Sequence, residues 1–70
     1  MIILEQKVLR EFITHEGKTF RLADYLPKYR YNEEQAVHFG NCMITAGNEV
    51  IMVKTPKDYA YYIIQKPTQK

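Results

Sequence analysis

The sequence predicts an α+β domain in which three helices precede a two-stranded β-hairpin. Apolar residues recur at helical spacing within residues 2–15, and a capped amphipathic segment occupies residues 32–47. Two runs rich in β-branched and aromatic residues flank a turn at residues 55–58. The domain is expected to span residues 1–65, followed by a flexible polar tail at residues 66–70.

Composition narrows the range of functions. The chain has 70 residues, 46% of them hydrophobic and 26% charged, which is typical of one soluble globular domain. A domain of this size buries only about 60% of the surface that its unfolded chain exposes, so few residues are available to build and support an enzyme pocket. Ten Lys and Arg against eight Asp and Glu give a net charge of +2, which permits nucleic-acid binding without requiring it.

Cysteine usage and hydropathy indicate a cytoplasmic protein. Cys42 is the only cysteine, which excludes an intramolecular disulfide and a four-cysteine zinc site and favours a reducing compartment. The apolar start, residues 1–4, is too short for a signal peptide, and no apolar run is long enough to cross a membrane. The initiator-like Met1 suggests a complete small protein.

The first predicted helix covers residues 2–15. Leu4, Val8 and Phe12 follow i, i+4, i+8 spacing, with charged residues between them, and Gly17 is a plausible stop.

A short extended piece at residues 19–21 could form an isolated β-bridge. Leu22 and Leu26 lie one helical turn apart and predict a second, short helix. Pro27 limits that helix because proline disfavours helical geometry in the residue before it.

The third predicted helix has the clearest signals. Asn32 is a good N-cap, and Gln35 stands where a capping box places Glu or Gln. One side of the helix gathers small and apolar residues, namely Ala36, Phe39, Gly40, Met43 and Gly47, and the opposite side is polar.

In this order of elements the chain resembles the winged helix-turn-helix family. The resemblance covers about residues 2–65. Residues 20–26 match the first helix of the motif, residues 32–47 match the second, and residues 49–65 match the hairpin called the wing. The link between the two helices is longer than the tight turn of the simplest members.

The resemblance implies a transcriptional regulator that binds double-stranded DNA. The second helix would enter the major groove, and the connection and wing would contact phosphates. The residues implied for base readout are Glu34, Gln35, His38, Asn41 and Thr45. Those implied for phosphate contact are Arg21, Lys28, Arg30, Lys54 and Lys57, with added hydroxyl contacts from Tyr29 and Tyr31.

The charge of the presumed reading helix limits the expected affinity. Residues 32–47 contain no Lys or Arg and two glutamates, although phosphate neutralisation dominates affinity for duplex DNA. Useful affinity therefore requires a homodimer or a cooperative assembly, and the first helix could supply the dimer surface.

The alternative is a winged-helix protein-interaction module, such as a phage-type inhibitor or adaptor that binds a host protein. It would present the acidic-polar helix or the exposed apolar face of the hairpin. Lys54 and Lys57 would then be solubilising charges at a sheet edge. The sequence shows no paired carboxylates, no nucleophile beside a base and no glycine-rich phosphate loop, so we expect no catalytic residue, cofactor or metal.

Overall fold

The computed structural model describes residues 1–64 as a five-stranded mixed sheet with a helix on one face. The predicted tail at residues 66–70 lies outside the described residues. The elements in chain order are β1 Ile2–Glu5, β2 Phe12–His15, β3 Lys18–Pro27, α1 Glu33–Thr45, β4 Val50–Lys54 and β5 Asp58–Ile64. The strand order is β1-β4-β5-β3-β2, in which β1 and β4 are parallel and the other neighbours are antiparallel.

The predicted three-helix winged fold is wrong, because both helices expected before residue 32 are strands. Residues 2–15 form β1 and β2, and Leu22 and Leu26 lie within β3. The spacing of four residues that suggested helices does not arise from one element. Leu4, Val8 and Phe12 are divided between β1, its connection and β2, and a bulge in β3 places Leu22 and Leu26 on opposite faces of the sheet. Gly17 ends no helix: with Glu16 it forms the tight β2–β3 turn, where φ is 52° at Glu16 and 78° at Gly17.

Helix α1 forms where the third helix was predicted. The Asn32 side chain accepts a hydrogen bond from the Gln35 backbone N–H at 2.8 Å, and the Gln35 side chain accepts one from the Asn32 N–H at 2.9 Å. This reciprocal cap satisfies two of the N–H groups that a helix start leaves without partners. Ala36 and Gly40 are buried against the sheet, and a Cβ on Gly40 would lie 2.6 Å from the Met1 sulfur, so glycine permits this close approach.

Strands β4 and β5 form the predicted hairpin, but the hairpin is not a wing. Their turn is closed by the Thr55 N–H, which donates to the Asp58 carbonyl at 2.9 Å. β1 flanks the hairpin on one side and β3 flanks it on the other, so both of its strands lie inside the sheet. The expectation of an exposed wing over residues 49–65 is therefore wrong, since the hairpin is the centre of the fold.

Two apolar layers cover the two faces of the hairpin. On the helix side, a core cluster is formed by Ala36, Val50, Met52, Tyr59 and Tyr61. On the opposite side, a second cluster is formed by Ile13, Phe20, Ile51, Val53, Ala60 and Tyr62. The segment between β1 and β2 crosses this second side, where the Tyr62 hydroxyl donates to the Arg10 carbonyl and accepts from the Arg10 N–H.

Tyr61 provides a test of the helix–sheet packing. Its side chain is fully buried, and its hydroxyl donates to the Ala36 carbonyl at 2.6 Å. We expect Tyr61→Phe to lower the free energy of unfolding by about 1 kcal/mol, because a buried hydrogen bond is removed with little change in packing. Urea denaturation near neutral pH measures the change, and Tyr25→Phe, at an exposed tyrosine, is the matched control.

The Tyr61 side chain also makes the free energy of unfolding depend on pH. Burial, with smaller contributions from Asp24 and Tyr59, raises the pKa of Tyr61 from 10.0 to about 12. Its stabilising contribution is therefore complete below pH 10 and is lost as the pH rises through about 12. The free energy of unfolding should fall more steeply over this range in the native chain than in Tyr61→Phe, and equal slopes would contradict the assignment.

Candidate functional site

Three separate segments of the chain meet at one end of the sheet. β1 and β4 run parallel, so their last residues, Glu5 and Lys54, lie side by side. The connection that follows β3 joins them, since the Lys28 N–H donates to the Lys57 carbonyl at 2.8 Å. The segment after β1, the β3–α1 connection and the β4–β5 turn therefore form one continuous surface.

This surface contains two adjoining concavities that share Lys28 and Pro56. The lining of the first includes Glu5, Gln6, Lys7, Lys28 and Lys54. The lining of the second includes Lys28, Tyr29, Lys57 and Asp58. We call the two concavities together the basic end, because four lysines line them.

The four lysines differ in how their charges are balanced. The Lys54 ammonium lies 3.2 Å from a Glu33 carboxylate oxygen and 3.8 Å from one of Glu5, and the hydrogen bond to Glu33 raises the pKa of Lys54. Lys28 lies over the Tyr59 ring, 5.2 Å from its centroid. Within residues 1–64, Lys7, Lys28 and Lys57 have no carboxylate partner within ion-pair distance, so their charges are available to a ligand.

One residue that lines the first concavity, Gln6, has a buried polar atom without a partner within residues 1–64. The side-chain oxygen of Gln6 is buried and has no hydrogen-bond partner among the described residues. A buried acceptor left unpaired costs stability, on the order of 1–3 kcal/mol. Because this oxygen is buried, a ligand in the concavity does not reach it in this conformation.

Tyr29 stands at the tip of the turn that follows β3. The N–H groups of Arg30 and Tyr31 both donate to the Pro27 carbonyl at 3.2 Å, which closes the turn. The Tyr29 side chain is 80% exposed, more than any other large hydrophobic side chain among the described residues. The turn thus holds an uncovered aromatic ring beside Lys28.

The residues predicted for base readout do not join this surface. Glu34, Gln35, His38, Asn41 and Thr45 are all exposed on α1, and none lines either concavity. The Gln35 amide is held by the helix cap, and His38 Nε2 lies 3.7 Å from the Cys42 sulfur.

The residues predicted for phosphate contact are brought together in part. Lys28, Lys54 and Lys57 line the basic end, and Arg30 lies in the turn next to it. Arg21 does not join them, since it lies in the part of β3 that pairs with β2 and with the end of β5.

Sequence reasoning missed Gln6 and Lys7, which were placed in a helix. Only the parallel pairing of β1 with β4 brings them beside Lys54, and no local pattern in the sequence marks that pairing.

Sequence reasoning also missed the apolar edge strand. Met1, Ile2 and Ile3 are consecutive and each about 40% exposed. β1 pairs on one side with β4, and its other edge is unpaired within the described residues.

Comparison of the chain with protein-family models, with curated proteins and with solved structures found no match. Function must therefore be argued from the geometry. Within residues 1–64, no helix has the length and apolar character needed to cross a membrane. In the same part of the chain, no group of three or more His, Cys, Asp or Glu is placed to hold a metal ion.

The position of Gln35 leads to a test of its role. We expect Gln35→Ala to lower the free energy of unfolding by about 0.5–1 kcal/mol, because its side chain accepts the Asn32 N–H at the helix start. Asn41→Ala, at another exposed position of α1, is the control and should not lower stability, because alanine is the better helix former. Thermal and urea denaturation measure both variants, and equal stability of the two would show that the cap contributes nothing.

Proposed function

We propose that the protein binds nucleic acid and that the basic end contacts the phosphates. The observation that carries the proposal is the pair of adjoining concavities lined by four lysines from three separate segments. Lysine side chains are common phosphate contacts, and phosphate neutralisation supplies most of the affinity of non-specific nucleic-acid binding. Insertion of α1 into a major groove is not part of the proposal, because that mode rested on the winged fold.

The distribution of charged residues supports placing the phosphates at the basic end. The exposed side of α1 begins with Glu33 and Glu34 and ends without a basic residue in its last turn. Glu33 is offset by Lys54. Glu34 and the lack of Lys and Arg along α1 still make this side less favourable to a phosphate backbone than the surface with Lys7, Lys28 and Lys57. The number of available cations is small, so the expected affinity is modest and strongly dependent on salt.

Lys28 and Lys57 test the proposal. We expect the double variant Lys28→Ala/Lys57→Ala to weaken oligonucleotide binding and to reduce the slope of log affinity against log salt by about 0.7–0.9 for each phosphate that is no longer neutralised. Fluorescence anisotropy with a labelled oligonucleotide at 50 and 200 mM salt measures both quantities.

Lys18→Ala is the matched control. Lys18 is an exposed lysine at the opposite end of β3, where it pairs with Glu49 at 3.2 Å. Its removal should change neither the affinity nor the salt slope appreciably. Binding that ignores salt, or an equal reduction of affinity in the control and the double variant, would contradict a phosphate site at the basic end.

A second candidate function is protein binding by strand addition at β1. An unpaired edge strand offers a row of N–H and C=O groups to another strand, and natural proteins usually protect such edges with charges. Ile2, Ile3 and Leu4 carry no such charge. In the sheet, Ile3 pairs with Met52 on the helix side and Ile2 with Ile51 on the opposite side, so apolar surface flanks the edge on both faces.

The partner strand that this edge fits is β1 of a second copy. In an antiparallel pair centred on Ile3, Ile2 of one copy lies opposite Leu4 of the other. The two Glu5 carboxylates then lie at opposite ends of the paired strands, so like charges do not meet. A dimer paired in this way would carry two basic ends.

Ile3→Lys tests this second candidate. A charge in the middle of β1 should abolish self-association, since edge lysines prevent edge-to-edge pairing. Sedimentation velocity at increasing protein concentration measures the association. Val8→Lys, at an exposed apolar residue outside any strand, is the control and should associate like the native chain. A native chain that stays monomeric at high micromolar concentration would rule the candidate out.

A further inference from the structure

We infer that the ligand of the basic end is a single-stranded nucleic acid whose bases stack on Tyr29. The inference rests on the proposed function and names the ligand class of the same site. Two observations carry it: the uncovered ring of Tyr29 beside the lysines, and the absence of a groove-reading element within residues 1–64.

The Tyr29 ring is placed as a stacking platform. It is 80% exposed, while its backbone is held by the turn in which Arg30 and Tyr31 donate to the Pro27 carbonyl. A fixed backbone limits the entropy cost when a base covers the ring. Lys28 precedes it, and Lys57 lines the same concavity, so a base on the ring would have cations near its phosphate.

Stacking requires an uncovered base face, which only an unpaired strand offers. In a duplex the base faces are covered by their neighbours, and proteins reach the base edges through a groove. Within residues 1–64, the one helix has Ala36 and Gly40 buried on the sheet and presents Glu33 and Glu34 to solvent. The β4–β5 hairpin is held between β1 and β3 and is not free to enter a groove.

The test compares three ligands of one sequence: a labelled single-stranded DNA 12-mer, the RNA of the same sequence and the DNA duplex. Anisotropy titrations at low salt should give tighter binding for at least one single strand than for the duplex. Tyr29→Ala should weaken that binding about tenfold, because base stacking on an aromatic side chain contributes roughly 1–3 kcal/mol. Tyr29→Phe keeps the ring and should bind like the native chain.

Tyr25→Ala is the control for the removal of an exposed tyrosine. Tyr25 is exposed on β3 and lines neither concavity, so its replacement should leave the affinity unchanged.

The outcomes separate this inference from the proposed function. If the duplex binds as tightly as the single strands and Tyr29→Ala has no effect, the inference is overturned. The proposed function survives that result provided that Lys28→Ala/Lys57→Ala still weakens binding. If no oligonucleotide binds at low salt, the proposed function fails and the inference fails with it.

Discussion

The fold depends on the β4–β5 hairpin, which is apolar on both faces. The rest of this short chain must therefore cover each face. Tyr61 and Tyr62 are consecutive residues of β5, so their side chains point to opposite faces of the sheet. The Tyr61 hydroxyl binds the helix at the Ala36 carbonyl, and the Tyr62 hydroxyl binds the β1–β2 segment at Arg10. Each covering layer is therefore fixed to the hairpin by a tyrosine that contributes both apolar surface and a satisfied hydroxyl.

The two segments that cover the hairpin also bring residues to the basic end. The segment opposite the helix follows β1, whose parallel pairing with β4 carries Gln6 and Lys7 to the end of the hairpin. The helix layer is reached through the β3–α1 connection, which carries Lys28 and Tyr29 to the same end. Neither segment contributes a core side chain at these positions, so their polar residues are free for binding.

The sequence allows the helix and the hairpin to be predicted because their signals are local. Helix α1 has a cap and apolar residues separated by three and four positions, and a spacing of three distinguishes a helix from a strand. The hairpin has a turn between two β-branched runs. The spacings of four in the first 27 residues resemble a helix only by coincidence, because the residues concerned lie in different elements or on opposite sides of a bulge. These residues form strands through distant pairing partners in β4 and β5.

The candidate site likewise contains some residues that local sequence signals identify and others that only long-range pairing brings in. Lys28, Lys54 and Lys57 were predicted as phosphate contacts because they flank elements that local signals identify. Gln6 and Lys7 join them only through the parallel β1–β4 pair, whose partners lie almost 50 residues apart in sequence. The predicted base-reading residues depended on the winged fold, and the helix that carries them is packed on a sheet instead.

Lys54 shows how the charges at this end are shared between stability and binding. Its ammonium lies between the carboxylates of Glu5 on β1 and Glu33 on α1, so it links β4 to the neighbouring strand and to the helix. The hydrogen bond to Glu33 raises the pKa of Lys54, and the two carboxylates, which would otherwise repel a phosphate, are partly neutralised by the ammonium. Exposure weakens each of these ion pairs, so their contribution to stability is small. Lys54 therefore acts mainly by offsetting the acidic groups, which leaves Lys7, Lys28 and Lys57 to attract a ligand.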